Sequence, residues 1–350
     1  MSFMEETTGE LSQRFKRFAS LECHGSSPLY EKLSLGISRD RELLQLASHS
    51  RHGPIPNLFL ATVHFLLLKE NKHALRSFYP DLESECNRED DPYGAFRAFC
   101  LENRGRIETI LETRMVQTNE VQRSAVLMPA FQLIARATEK PLALIEIGTS
   151  AGLNLLWDKF GYDYGVGEVI GDLNSEVRIR CELRAALAFN LNPELPATCF
   201  RVGIDLNPLD TNNEEDRLWL KALIWPEHIE RMHLLEAAMN IARRNPPRLV
   251  RGDALEILPN ALSQSPMDSI PCVVSTFTLN QFSSESREKL ELLLTQEAKR
   301  RELHFVYIEY VTYSPGIHPE LHAVLRTGDK RQDRLLGKCE PHGEWLEWLA

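Results

Sequence analysis

Up to about residue 140, apolar positions recur at three- and four-residue intervals with few β-branched runs. The segments 12–21, 30–35, 39–47, 57–68 and 92–113 all follow this rule, which predicts helix after helix. The clearest segment is 118–137, where Val121, Ala125, Met128, Phe131, Ile134 and Ala135 form one apolar stripe. Pro129 lies inside it and is expected to kink or split the helix. The polar face of its first half carries Asn119, Glu120 and Arg123. Breaks such as Gly53-Pro-Ile-Pro56 and Tyr79-Pro-Asp81 separate the helical pieces.

At Pro141 the pattern changes. A short apolar run, 142–147, leads into Gly148-Thr-Ser-Ala-Gly152 and a helix-like stretch, 153–160. Similar short runs recur at 200–205, 248–252, 272–277 and 303–310, with amphipathic stretches at 216–224, 227–243 and 284–300 between them. Buried runs alternating with helices predict an α/β fold with a parallel, doubly wound sheet. Two segments depart from the alternation. Residues 166–183 read as an inserted hairpin, and 322–326 with 334–338, around Gly328-Asp329, as an antiparallel hairpin closing the sheet. The expected organisation is a helical cap over residues 1–138 and a Rossmann-like domain over 139–350, with an insertion at about 161–199.

Composition narrows the partners. The chain has 350 residues, with 40 Lys+Arg against 50 Asp+Glu and a formal net charge of −10. This balance argues against nucleic acid or an anionic membrane as the main partner. The most apolar run, 58–68, is too short to cross a bilayer and contains His64. The first ten residues lack the basic and apolar regions of a signal peptide. Seven cysteines stand singly, with no C-x-x-C pair, as expected in a reducing cytoplasm.

Candidate chemistry gathers at the predicted strand ends. Glu146-Ile-Gly-Thr-Ser-Ala-Gly152 is a strand-to-helix turn whose glycines allow close approach of backbone to a ligand. Its spacing is G-x-x-x-G, not the G-x-G-x-x-G of dinucleotide sites. A packing turn that simply needs glycine is the alternative. In Arg201-Val-Gly-Ile-Asp-Leu-Asn-Pro208, Asp205 ends a strand and reads as an acceptor for ribose hydroxyls, with Asn207 and Pro208 turning the chain away. An Asx turn or helix N-cap is the other role open to it. In Gly252-Asp-Ala254, Asp253 either accepts from an adenine amino group or caps the next helix.

The order of these motifs resembles that of class I S-adenosylmethionine-dependent methyltransferases, whose sheet is parallel except for an antiparallel seventh strand. That resemblance implies S-adenosylmethionine as cofactor. It would be held by Glu146, Gly148, Thr149, Ser150, Gly152, Asn154, Asp205, Asn207, Asp253, Ala254 and Thr276. Asp205 follows Gly148 at a far longer interval than one strand–helix–strand unit needs, so the insertion must account for the excess. The longer wording is more specific. Gln117-Thr-Asn-Glu-Val-Gln-Arg-Ser124, Glu146 to Leu155, Arg201 to Asp210, Trp225-Pro-Glu227, Pro247-Arg-Leu-Val-Arg-Gly-Asp253 and Pro341-His-Gly-Glu-Trp345 resemble the bacterial family catalogued as domain of unknown function 2332. That family implies an architecture and a pocket, without a settled reaction.

Methyl transfer needs alignment and, for some acceptors, a proton acceptor. Glu309 and Tyr310 end the fifth strand-like run, and Thr276, Thr278 and Asn280 follow the fourth. Glu309 is the expected general base, since a carboxylate within Phe305-Val-Tyr-Ile-Glu-Tyr-Val311 must meet a pocket or a basic group. An ion pair with Arg123 or Arg97 is the alternative. His318 is a second proton-acceptor candidate, in a run, His318-Pro-Glu-Leu-His322, that places two histidines four apart at a potential helix start. Zinc would need further ligands, Cys339 and His342 being the C-terminal ones, and no metal is expected. His342 reads as a turn residue. Asn119, Glu120, Arg123, Asn280 and Tyr310 are expected to line a small-molecule acceptor pocket closed by the cap. Two other functions stay open: a non-catalytic nucleoside-binding or interaction protein of the same fold, and a serine hydrolase. For the latter, Gly148-Thr-Ser-Ala-Gly152 matches G-x-S-x-G, with Ser150 as nucleophile and Glu309 with His318 or His342 as partners.

Overall fold

The structure is a computed structural model that describes residues 8–70, 72–83, 85, 90–185, 191–312, 314 and 316–350. Cys86 and part of the expected insertion, 186–190, lie outside the described residues, as do residues 1–7. In chain order, helices α1 (Thr8–Phe18), α2 (Pro28–Ile37), α3 (Arg41–Ala47), α4 (Ile55–Lys69), α5 (Pro92–Glu102), α6 (Arg104–Thr113) and α7 (Ser124–Thr138) precede strand β1 (Leu142–Ile147). The short strands β2 (Gly161–Asp163), β3 (Ile170–Gly171), β4 (Arg178–Arg180) and β5 (Glu182–Ala185) follow. Then come β6 (Thr198–Asp205), α8 (Glu214–Ala222), α9 (Ile229–Arg244), β7 (Arg248–Arg251), α10 (Ala254–Gln264), β8 (Ile270–Thr276), α11 (Ser284–Ala298) and β9 (Leu303–Glu309). The chain ends with β10 (Glu320–Thr327), β11 (Lys330–Cys339) and β12 (Trp345–Trp348).

Contacts divide the chain into two compact units: residues 1–118 with 213–233, and residues 119–212 with 234–350. In the first unit, helix starts follow local chemistry. Ser27, Asp40 and Asp91 accept backbone N–H groups at the starts of α2, α3 and α5, and proline stands in the first turn of α2 and of α5. The apolar run that is too short for a membrane is α4, buried almost throughout and packed on α1, α3, α6 and α8. Among the described residues, no helix is long and apolar enough to cross a membrane. His64 is a satisfied core histidine, with Nε2 2.7 Å from Asp81 Oδ2 and Nδ1 3.2 Å from the Ala222 carbonyl.

Residues 213–233 join this unit through specific bonds. The Trp219 indole donates to the Met115 carbonyl (2.9 Å), Arg114 pairs with Asp216 (2.8 Å), and Trp225 packs edge-on against Phe18. Glu227 accepts from the Leu29 N–H (2.8 Å) and the Ser27 hydroxyl (2.7 Å). Trp225-Pro-Glu227 is therefore a clamp on the start of α2.

In the second unit the main sheet runs β5-β12-β11-β10-β9-β8-β1-β6-β7. The segment β7-β6-β1-β8-β9 is parallel throughout; β10, β11 and β12 continue antiparallel, and β5 pairs parallel with β12. This is a mixed α/β fold with a large, mostly parallel sheet. One face of β1, β6, β8 and β9 packs Ile145, Ile147, Val202, Ile204, Val273 and Phe305 against Leu258, Leu290 and Leu294 of α10 and α11. The closing hairpin is present as β10 and β11.

Several expectations are corrected. By contacts the first compact unit ends at 118, and α7 packs within the second, with Phe131 against Trp157 at 5.0 Å. Pro129 does not break α7. It lacks the N–H that would reach the Ala125 carbonyl, and the Tyr164 hydroxyl donates to that carbonyl instead (2.5 Å). The segment 92–113 is two helices meeting at Asn103. The insertion is not a hairpin: β2 pairs with β3 and β4 in a separate small sheet, while β5 extends the edge of the main one. The stretch after Gly152 is a 3-10 helix (Leu153–Lys159), and His318 precedes a strand, not a helix.

The clamp yields a measurable expectation. Glu227→Ala leaves the Ser27 hydroxyl and the Leu29 N–H without their acceptor and costs about 1–3 kcal/mol in urea unfolding, with Glu227→Gln costing less. Equal stability of Glu227→Ala and wild type would show that the clamp contributes nothing.

Candidate functional site

Parallel sheets place ligand sites beyond the carboxyl ends of their strands, where the strand order reverses. Here β1 leads outward to β6 and β7, and β8 leads the other way to β9, so the reversal lies between β1 and β8. The two exits touch. Gly148 has φ +72°, and a Cβ there would come within 2.1–2.8 Å of the Thr278 side chain. Only glycine combines that backbone conformation with that contact.

The turn after β1 is internally saturated. The N–H groups of Gly148 and Thr149 donate to the Ile204 carbonyl, and that of Gly152 donates to the Thr149 carbonyl. The Ser150 N–H donates to Asp205 Oδ2 at 2.9 Å. The Ala151 and Leu153 N–H groups both donate to Asn119 Oδ1 at 3.1 Å. Asn119 thus occupies the helix start that a ligand was expected to meet, and it serves the turn from beneath a buried position. Asn154 is likewise engaged, accepting from the Ser124 hydroxyl at 2.8 Å.

Asp205 joins strand end and turn. Oδ2 accepts from Ser150, and Oδ1 accepts from the Asn207 N–H (2.9 Å), the Asx-turn geometry anticipated as its other role. Arg251 Nη1 donates to Asn207 Oδ1 (2.7 Å). Asp253 caps α10 through the Leu255 N–H (2.8 Å), which is the capping role weighed for it, and Ala254 is the first residue of that helix.

Two buried carboxylates mark the site. Burial pushes Glu146 up to about 8, against the bond donated by the Thr149 hydroxyl; the Asp205 charge raises it further and Arg123 lowers it. Burial also pushes Glu309 up to about 7, against N–H bonds from Leu279 and Asn280 and the charges of Arg287 and Arg123. Glu309 therefore holds the start of the turn after β8, beside Thr276 and Asn280. Arg97 serves Asp40 and Glu42 instead, so it is not the partner considered for Glu309.

Arg123 lies among these groups. Its Nε donates to the Pro341 carbonyl (2.9 Å) and its guanidinium stands 4.3 Å from the Phe277 ring centre. Phe277 in turn meets Tyr310 at 5.7 Å. Glu120 is buried and faces His342 Nδ1 at 3.2 Å. His318 is exposed and packs edge-on against Trp345, with ring centres 4.7 Å apart. Ser150 has φ +53°, the strained turn that a nucleophile elbow requires. Of the partners offered for it, Glu309 accepts from the turn after β8, His342 Nδ1 faces Glu120, and the His318 ring packs edge-on against Trp345. Among the described residues, no group of three His, Cys, Asp or Glu side chains could hold a metal ion.

The profile of a family described as an uncharacterized protein conserved in bacteria (DUF2332) matches residues 12–348. The chain belongs to this family. No curated protein and no solved structure matches it. Four of the stretches by which the chain resembles the family meet in this one site. Asn119 serves the glycine turn, Asp205 ties β6 to it, and Arg123 binds Pro341. Gly343 lies so close to residues 122–123 that a Cβ would come within 2.7 Å of the Gln122 carbonyl oxygen.

Phe277 was not anticipated from the sequence. It holds φ +55°, a conformation bulky residues seldom adopt, and presents its ring to Arg123. Nothing in Thr276-Phe-Thr278 signals that conformation. The Glu120–His342 pair was missed as well, because its members are 222 positions apart.

The raised carboxyls set a pH dependence. A group whose folded value exceeds its unfolded value binds protons more tightly when folded, so stability falls as pH rises from about 4.5 through 8. Glu146→Gln keeps an acceptor for the Thr149 hydroxyl and cannot ionise. In urea unfolding it gains on the wild type between pH 5 and pH 8 by roughly 1–4 kcal/mol. A gap that stays constant with pH would mean that Glu146 is ionised throughout.

Proposed function

We infer that this chain is an S-adenosylmethionine-dependent methyltransferase acting on a small molecule. The observation that carries the reading is the glycine turn, tied through Ser150 to a strand-end carboxylate and with every N–H from 148 to 153 already engaged. A turn so saturated offers no cradle for a pyrophosphate. A carboxylate beside β1 suits a ribose diol, and each of its oxygens accepts more than one bond. These features favour a nucleoside without phosphates, as S-adenosylmethionine is. The strand order supports the reading too: β7-β6-β1-β8-β9 follows the 3-2-1-4-5 order of doubly wound nucleotide-binding sheets, followed by an antiparallel strand, β10.

In this reading Asp205 holds the ribose, while Gly148, Thr149, Ser150 and Gly152 form the floor under the donor. Asp253 and Ala254 border the adenine, and Thr276, Asn280 and Tyr310 stand on the acceptor side with Arg123 and Phe277. The bound donor supplies an electrophilic methyl group on a sulfonium. The protein's part is to align the acceptor and remove its proton. The scattered cysteines suit work in the cytoplasm.

Calorimetry with S-adenosylhomocysteine tests the reading. Binding raises the melting temperature by mass action, and prior treatment with a chelator leaves that shift unchanged. Asp205→Ala and Asp205→Asn weaken binding about tenfold or more, since a charge-assisted bond contributes roughly 1.5–3 kcal/mol and each 1.4 kcal/mol is tenfold. Asp205→Ala also loses the acceptor for two backbone N–H groups, so affinity is measured on protein shown to be folded. Equal affinity in all three proteins would sink the ribose assignment. Donor binding without transfer to any acceptor would identify a nucleoside-binding protein of the same fold.

A further inference from the structure

The loop between β11 and β12 is built around one histidine. In Glu340-Pro-His-Gly-Glu344, the Glu340 carboxylate accepts from the His342 N–H (2.7 Å) and the Glu344 N–H (3.3 Å). The Gly343 N–H donates to the Glu340 carbonyl at 2.9 Å. Arg123 holds the Pro341 carbonyl, and Gly343 has φ +93° against residues 122–123. The backbone on both sides of His342 is thereby fixed, and so is the origin of its ring.

The ring is oriented by a carboxylate that is itself buried. Glu120 is 5% exposed, and its Oε2 lies 3.2 Å from His342 Nδ1. With Glu120 ionised, its carboxylate only accepts, and Nδ1 is the nitrogen that carries the hydrogen. In the neutral ring the lone pair is then on Nε2, which has no protein partner among the described residues. The side chain is 40% exposed, so the ring is reachable from solvent. A ring held at one nitrogen by a buried acid, with the other nitrogen open, is the arrangement of a general base and its orienting group.

Its place in the site agrees. Arg123 links Pro341, one residue away, to the Phe277 ring, and Phe277 adjoins Tyr310 at the exit of β9. The two candidates taken from the sequence fit the role less well. Glu309 is committed to the backbone at 279–280, and His318 lies against Trp345 with no acid to orient it among the described residues.

The geometry points to His342 as the proton acceptor of this site, with Glu120 as its positioning residue. The acceptor class that follows is a small molecule bearing an O–H, N–H or S–H group. This rests on the methyl-transfer reading above. As the acceptor atom bonds to the methyl group, its bond to hydrogen breaks and that electron pair stays on the atom. The proton passes to His342 Nε2, and the carbon–sulfur pair of the donor leaves on sulfur as a neutral thioether. The imidazolium so formed is balanced by Glu120 and returns its proton to water through the exposed side of the ring.

The test uses the full chain and needs no acceptor. Nitrogen-15 spectra of histidine-labelled protein, with the His342 signals assigned from His342→Gln, report which ring nitrogen carries the hydrogen. The expected result is hydrogen on Nδ1 in the wild type, reverting to Nε2 in Glu120→Ala, or in Glu120→Gln should the alanine variant not fold. Diethyl pyrocarbonate, followed by peptide mapping, is expected to modify His342 at least as fast as the exposed His318, with S-adenosylhomocysteine present or absent. Hydrogen on Nε2 in the wild type, or modification of His342 about tenfold slower than His318, overturns the proposal. Failure of the wild type to bind S-adenosylhomocysteine in calorimetry overturns the donor reading instead, and leaves the ring result to be judged separately.

Discussion

The second unit depends on how the turn after β1 satisfies its own backbone. A helix start leaves N–H groups without intrahelical partners, and in a nucleotide site these usually face the ligand. In this chain Asn119 and Asp205 supply the acceptors, one from the segment before α7 and one from the end of β6. Three consequences follow. The segment before α7 is tied to the sheet, the strand-end carboxylate is held in one orientation, and the N–H groups from 148 to 153 are all engaged within the protein.

Closing the turn internally concentrates acid groups around it. Glu146 and Glu309 are both buried, and the charge of Asp205 acts on Glu146. Their mutual repulsion and desolvation would be severe if all were ionised without compensation. Two features relieve this. Both Glu146 and Glu309 hold their protons into the neutral range, and the single guanidinium of Arg123 acts on both. Arg123 is held there by the Pro341 carbonyl and by the face of Phe277. The left-handed backbone of Phe277 is part of this arrangement, since it aims the ring at the cation.

What could be read from the sequence follows the range of the interactions concerned. Alternation of buried runs and amphipathic helices is local, so the α/β character, the strand segments and the closing hairpin were all legible. Strand-end positions were legible too: Asp205 and Glu309 do end β6 and β9, and Glu146 lies near the end of β1. What failed was non-local. Pro129 looked like a helix breaker because the hydroxyl that replaces its missing bond comes from Tyr164, in a different segment. The edge between the units looked to lie at the change in periodicity, yet α7 is helical in pattern and belongs by contact to the sheet. Residues 213–233 return to the helical unit through Trp219, Trp225 and Glu227, whose partners precede them by about a hundred residues or more.

The stretches that mark the family divide on the same physical line. Trp225-Pro-Glu227 holds a helix start within the first unit. The stretches around Asn119, Gly148, Asp205 and His342 interlock within the second unit, each supplying a bond that another needs. Asn119 completes the turn at 148–153, Asp205 joins that turn to β6, Arg123 reaches from the Asn119 segment to Pro341, and His342 returns to Glu120. Packing alone would not require a buried carboxylate to face a half-exposed histidine, because burying that charge costs more than an apolar residue of similar size. The proposed role of His342 as proton acceptor would account for that pairing, and Glu309 accepts backbone N–H groups of the turn after β8.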